Sequence, residues 1–182
     1  MKVSDIFELL LLAAIWGASF LFTRIASPVL GPVWLIEFRV LLAGLILLFF
    51  AIKLGLIEEI RRKIKPLFIV GCINSAIPFL LFSYASLSLP AGFTSILNAT
   101  APLFGTIVSF VWLKERLTIS GIIGFALGFA GVIVLVGWKT VSITQSFTLA
   151  VIAGLVAALL YALAAPYTRK HLSDVSAFTI AT

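Results

Sequence analysis

Thr94, Asn98, Pro102, Gly105, Thr106 and Ser109 lie within ~120° of one another when their stretch is wound as a helix. An otherwise apolar run therefore carries one polar, helix-loosening stripe along nearly its whole length. Unpaired polar groups are costly in hydrocarbon, so such a stripe faces a neighbouring helix or a wet cavity. Hydrogen bonding between helices around a proline kink and the lining of a pathway are both open to it. Asn74, Ser75, Pro78, Ser83, Tyr84 and Ser86 make a second set of this kind, again with a proline. Trp16, Ser19, Phe20 and Thr23 share an arc of ~100°, which gives either an aromatic packing stripe or aromatic walls with hydroxyls able to orient a small ligand.

Arg24, Glu37 and Arg39 are the charges nearest the apolar runs. Glu37 and Arg39 are two apart, so on a helix they point to different sides. A cross-helix pair of Arg24 with Glu37 is the expected arrangement. At the mouth of a membrane protein such a cluster attracts anionic or zwitterionic solutes, or it anchors the chain to headgroups. Nothing in the chain composes an enzymatic site. No Ser, His and Asp set converges, no glycine-rich phosphate loop follows a strand, and Glu115 and Asp174 fall in turns. Cys72 is the only cysteine and His171 the only histidine, so neither an internal disulfide nor a Cys/His zinc site can be built, and no cofactor or metal is expected.

The elements that must carry these residues follow from composition. The chain has 182 residues, 62% of them hydrophobic and 11% charged, with a mean hydropathy of +1.23. That is far more apolar surface than a water-soluble domain of this size can enclose. The net charge of +6 does not indicate nucleic acid, because the basic residues are separated by bilayer-length apolar runs. The predicted fold is all-α, a polytopic helical membrane protein whose first partner is the lipid bilayer. A crossing needs ~20 mainly apolar residues. Six segments qualify: Asp5 to Ala26, Val33 to Ile52, Pro66 to Leu87, Ala91 to Leu113, Ser120 to Trp138 and Phe147 to Tyr167. A seventh begins near Val175. The first is read as a retained span rather than a signal peptide, since it is long, contains Trp16 and is followed by further spans.

Ten of the thirteen lysines and arginines, including Arg61, Arg62, Lys63, Lys114, Arg169 and Lys170, fall in the loops of one side. The positive-inside rule then makes the amino terminus cytoplasmic, in the plasma or inner membrane of the cell. Between spans two and three, Leu56, Ile60 and Ile64 have helical spacing opposite several charges, which suits either a short helix in the headgroup region or a solvated basic loop. In span five Gly121, Gly124, Gly128 and Gly131 project within ~80° of one face, a close-packing surface within the bundle ahead of a homodimer seam.

The chain also echoes itself. Leu9 to Arg24 and Val156 to Arg169 match at a spacing of 145 residues, with Trp16 on Tyr161, Phe22 on Tyr167, Thr23 on Thr168 and Arg24 on Arg169. An odd number of crossings between the copies turns the second upside down.

AAIWGASFLFTRIA at Ala13 to Ala26, EFRVLLAG at Glu37 to Gly44, SILNATAPLFGTIVSFVWLKERLT at Ser95 to Thr118 and GIIGFALGFAGVIVLV at Gly121 to Val136 together resemble the EamA-like branch of the drug/metabolite transporter superfamily. The resemblance implies ten spans in two inverted five-helix repeats, a central substrate cavity, and transport of small metabolites such as amino acids, often outward. It would make residues 1–140 the first repeat and 141–182 the beginning of the second. About 110 residues would then be wanting, because inverted-repeat carriers form their site between the halves. The expectation is a fragment, completed by a missing second half or by a homodimer partner. The expected function is secondary transport, with Trp16, Ser19, Phe20, Thr23, Asn74, Pro78, Tyr84, Thr94, Asn98 and Pro102 on the substrate pathway of spans one, three and four. One alternative is a proton-coupled multidrug exporter, whose smaller relatives in this superfamily use an acid in the first helix; here Ala14, Ile15 and Trp16 stand there. Another is a non-transporting scaffold.

Overall fold

A computed structural model describes residues 3–112, 114, 119–138 and 144–182. Every regular element among them is helical: α1 (Val3–Leu30), α2 (Pro32–Lys53), α3 (Ile57–Arg62), α4 (Ile64–Gly71), a π-helical turn (Cys72–Ala76), α5 (Ile77–Ala85), α6 (Ala91–Asn98), α7 (Ala101–Trp112), α8 (Ile119–Trp138), α9 (Gln145–His171) and α10 (Ala177–Ala181). Five helical stretches are long and apolar enough to cross a membrane: Ser4–Leu30, Pro32–Lys53, Ile64–Ala85, Ala91–Trp112 and Gln145–His171. They coincide with five of the six expected spans. The remaining one, Ser120 to Trp138, coincides with α8, a helix of 20 residues. Leu113, at the expected end of span four, lies outside the described residues.

Prolines set the interruptions. Pro78 has no N–H to offer the carbonyl four residues back, at Asn74, and its ring crowds that carbonyl. The helix answers with the wider π turn over Cys72–Ala76 and continues as α5. Pro102 does the same to Asn98, and there the chain breaks between α6 and α7, where the Thr100 hydroxyl donates to the Leu97 carbonyl at 2.6 Å. Between α1 and α2, Gly31 stands at φ +79°, a left-handed value that ordinary side chains resist, and it lets two long helices meet through one residue.

The centre of the bundle is α9. Its buried face is built of small residues, Ala150, Ala153, Gly154, Ala157, Ala158, Ala162 and Ala164, which let backbones approach where burial from water supplies no driving force. It packs against α5, α6 and α7. Leu97 sits directly on Gly154, inside a cluster with Ala85, Leu89, Phe93, Phe147 and Ala150. Thr144 caps α9, its hydroxyl accepting from the Phe147 amide at 3.2 Å. Along α8, Gly128 lies against Leu103, while Gly124 and Gly131 face open space.

Candidate functional site

Four spans meet around a cavity of about 150 Å³. From α1 come Ile15, Trp16, Ser19, Phe20 and Thr23, from α2 Arg39, from α5 Phe79 and Phe82, and from α9 Tyr161. The α1 contribution follows from helical spacing, since these positions recur at three- and four-residue steps. The rings are ordered. Phe82 meets Phe20 edge to face with centroids 5.7 Å apart and stacks on Tyr161 at 6.0 Å. Thr23 spends its hydroxyl on the Ser19 carbonyl at 2.7 Å. The guanidinium of Arg39 lies over the Phe79 ring, 4.4 Å from its centroid. Arg39 and Phe79 also border a second cavity of about 620 Å³ between α2, α4 and α10, which includes Leu47, Phe68, Ser75 and Thr179.

Both ends of the bundle are tied. At one, Arg24 donates to the carbonyls of Ser86 and of Leu87, the latter at 2.9 Å, where the last turn of α5 leaves acceptors unsatisfied. The Ser27 and Ser83 hydroxyls bond beside it at 2.7 Å, both fully buried. Arg24 is thus held by helix-end carbonyls and not by Glu37, correcting the expected pair: Glu37 is exposed along a separate cavity with Val33, Ile36, Leu41 and Leu80. At the other end, Glu59 accepts from the Ser176 amide and hydroxyl, each at 3.0 Å, and from the Thr179 hydroxyl. Lys63 donates to Asp174 at 2.8 Å and to the His171 carbonyl at 3.4 Å. The Thr179 hydroxyl, followed by the Ser176 amide, holds the Glu59 carboxyl below its ordinary value, and the hydrogen bond from Lys63 does the same for Asp174.

Of the pathway residues expected from sequence, the structure brings Trp16, Ser19, Phe20 and Thr23 together, and adds Arg39 from the group assigned to the mouth. The other six lie elsewhere. Asn74 is exposed on the π turn and Pro78 is buried. Tyr84 is exposed, and Thr94 is buried with its hydroxyl on the Pro90 carbonyl at 3.3 Å. Asn98 is half-buried beside the break, and Pro102 is exposed. The walls of this cavity therefore come from spans one, two, three and six, and it shares spans one and three with the expected pathway. Phe79, Phe82 and Tyr161 were not singled out as lining, although Tyr161 holds the repeat position of Trp16. Among the described residues no three His, Cys, Asp or Glu side chains gather as metal ligands would.

Five apolar helices of membrane-crossing length, four of them lining an aromatic cavity, define a polytopic helical membrane protein. Residues 4–137 match the EamA-like transporter family, and the chain belongs to that family. It is 27% identical over 128 residues to an uncharacterized transporter of Archaeoglobus fulgidus, covering 70% of this chain and 45% of that one. It is 28% identical over 136 residues to a probable terminal-alkyne amino-acid exporter of Streptantibioticus cattleyicolor, covering 74% and 46%. It is 25% identical over 180 residues to the protein PagO of Salmonella typhimurium, covering 98% and 59%. The chain thus spans about half the length of the curated relatives it matches. No solved structure matches it.

Proposed function

We propose that this chain supplies the first five-helix repeat, residues 1–140, and the start of an inverted second repeat, residues 141–182, of a secondary transporter that exports small metabolites such as amino acids and related solutes across the cell membrane. In this reading α8 is the fifth of six crossings and the amino terminus is cytoplasmic, as the ten basic residues of one side favour. The single observation that carries the functional reading is the cavity where α1, α2, α5 and α9 converge, with aromatic walls, a serine hydroxyl and a guanidinium. A few polar groups set in an apolar enclosure are what a small-molecule site requires. The family is one of transporters, and the name of the Streptantibioticus relative supports an amino-acid-like cargo. The proton-coupled multidrug alternative finds less support, because Glu37 borders a different cavity and α1 carries no acid at Trp16.

The experiment is efflux of radiolabelled amino acids and organic acids from proteoliposomes holding the full-length protein. Flux above protein-free vesicles is expected, reduced at least about tenfold in Trp16→Ala and Phe82→Ala, as the loss of one aromatic contact of ~1.4 kcal/mol would give. Flux that never exceeds the protein-free control would leave a scaffold as the better reading.

A further inference from the structure

Arg24 and Arg39 are guanidinium groups of adjacent spans, and the fold treats them differently. Arg24 has its donors on the carbonyls of Ser86 and Leu87. Arg39 rests on the face of Phe79, and neither a hydrogen bond nor an ion pair to another described residue holds it. Stacking on a ring leaves the edge of a guanidinium free, and that edge is a planar fork of N–H donors matched to two oxygens of one carboxylate. No Asp or Glu lines either cavity that Arg39 borders, so no acid among the described residues competes for it. A guanidinium set among apolar helices is costly unless it meets a pathway or a counter-ion.

The space beside it sets the rest of the ligand. A cavity of about 150 Å³ is the size that accepts a single benzene-like ring. Its walls at Trp16, Phe20, Phe82 and Tyr161 are aromatic. We infer that Arg39 is the anion-binding residue of this site and that its ligand is a small carboxylate with a compact apolar or aromatic body, the carboxylate on the guanidinium edge and the body among the four rings. Arg39 also borders the larger cavity, so it stands where a solute would pass from one space to the other. The inference rests on the reading of this cavity as part of the transport path.

The test is equilibrium dialysis of radiolabelled 3-phenylpropionate and of its neutral isostere 3-phenylpropanamide against the full-length protein in phosphatidylcholine nanodiscs. The acid should bind at least about tenfold tighter than the amide, the ratio that a charge-assisted pair at a half-enclosed site gives. Arg39→Gln should bring the ratio close to one, and Arg39→Lys should keep part of it, since charge remains and the fork is lost. Equal binding of acid and amide by the unaltered protein overturns the inference, and that comparison stands by itself if Arg39→Gln does not insert. Replacing a third of the lipid with phosphatidylglycerol separates the two sources of anion. A preference that persists supports a soluble carboxylate, and one that vanishes assigns Arg39 to a lipid phosphate. Acid preference without vesicle flux would leave the anion site standing while the transport reading fails; flux without acid preference would do the reverse.

Discussion

The packing of α9 can be tested at one atom. A methyl group built on Gly154 lies 2.6 Å from Leu97 Cδ1, 3.3 Å from its Cβ and 3.5 Å from its Cγ, whereas carbon atoms rest at ~3.5 to 4.0 Å. Leu97 is fully buried among Ala85, Phe93, Phe147 and Ala150, so it cannot swing away. Gly154→Ala must then separate α6 from α9 by about an ångström, an overpacking cost of ~1–3 kcal/mol. Alanine returns ~0.5–1 kcal/mol through helix propensity. The net expectation is a loss of about 0.5–2 kcal/mol, read by titrating detergent micelles with dodecyl sulfate and following helix content. Leu97→Ala alone should cost ~2–5 kcal/mol by leaving a cavity. In the double variant the new methyl occupies part of that cavity, so the two losses should fall short of their sum by ~1 kcal/mol or more. Tyr161 is seven residues beyond Gly154, two turns along the same face, so the shift should also open the Phe82–Tyr161 stack. A Gly154→Ala protein as stable as the original or more so, with strictly additive losses in the double variant, would refute the close approach.

Two further perturbations separate satisfied from unsatisfied groups. Ser83→Ala strands the buried Ser27 hydroxyl and should cost about 1 kcal/mol, with the Ser27→Ala, Ser83→Ala double variant recovering part of it, in the same unfolding titration. Ser86→Ala removes a buried hydroxyl that has no partner among the described residues and leaves the carbonyl that serves Arg24, so it should be neutral or stabilising. The ties of Glu59 and Asp174 should depend on pH with a defined sign. Both carboxyls are held below their ordinary values of 4.5 and 3.8, so their contribution is complete above those values and disappears as pH falls through the lower folded ones. Spin labels at positions 60 and 175 should keep one separation from neutral pH down to about pH 5 and move apart only in stronger acid; widening between pH 8 and 6 would contradict this.

How much of this was legible in the sequence divides by kind of signal. Apolar length located the five helices long enough to cross a membrane, because hydrocarbon thickness fixes that length almost alone. The α1 quartet Trp16, Ser19, Phe20 and Thr23 was legible because helical periodicity settles which residues share a face. The partners across the cavity were not, because periodicity within a helix does not say which helix lies opposite. Phe79 and Phe82 look like any other aromatic residues of a span until α9 is placed beside α5. The polar stripe of span four was read on one helical projection, which the structure interrupts. Pro102 follows a break in that span, so the single projection joining Thr94 to Ser109 runs over two helices, α6 and α7. Arg39 was placed at the mouth by its distance from the span's end, while the Phe79 face that receives its guanidinium became visible only with α5 in position.

The internal echo meets the cavity at one pair of positions. Trp16 and Tyr161 are the positions that a 145-residue offset equates, and they border the same enclosure from α1 and α9. Residues related by a two-fold axis in the membrane plane come together only where that axis passes, and elsewhere the pairs lie apart. Phe22 and Tyr167, equated by the same offset, do not border this cavity. If the repeats are inverted, the axis therefore runs near Phe82, whose ring touches Phe20 on one side and Tyr161 on the other. A solute held there would sit at the pivot about which the two halves exchange places, and that is where an alternating-access carrier must hold its cargo. On that condition the aromatic positions near the axis should matter more for transport than the polar stripe along α6 and α7, and Phe82→Ala should lower flux further than Asn98→Ala.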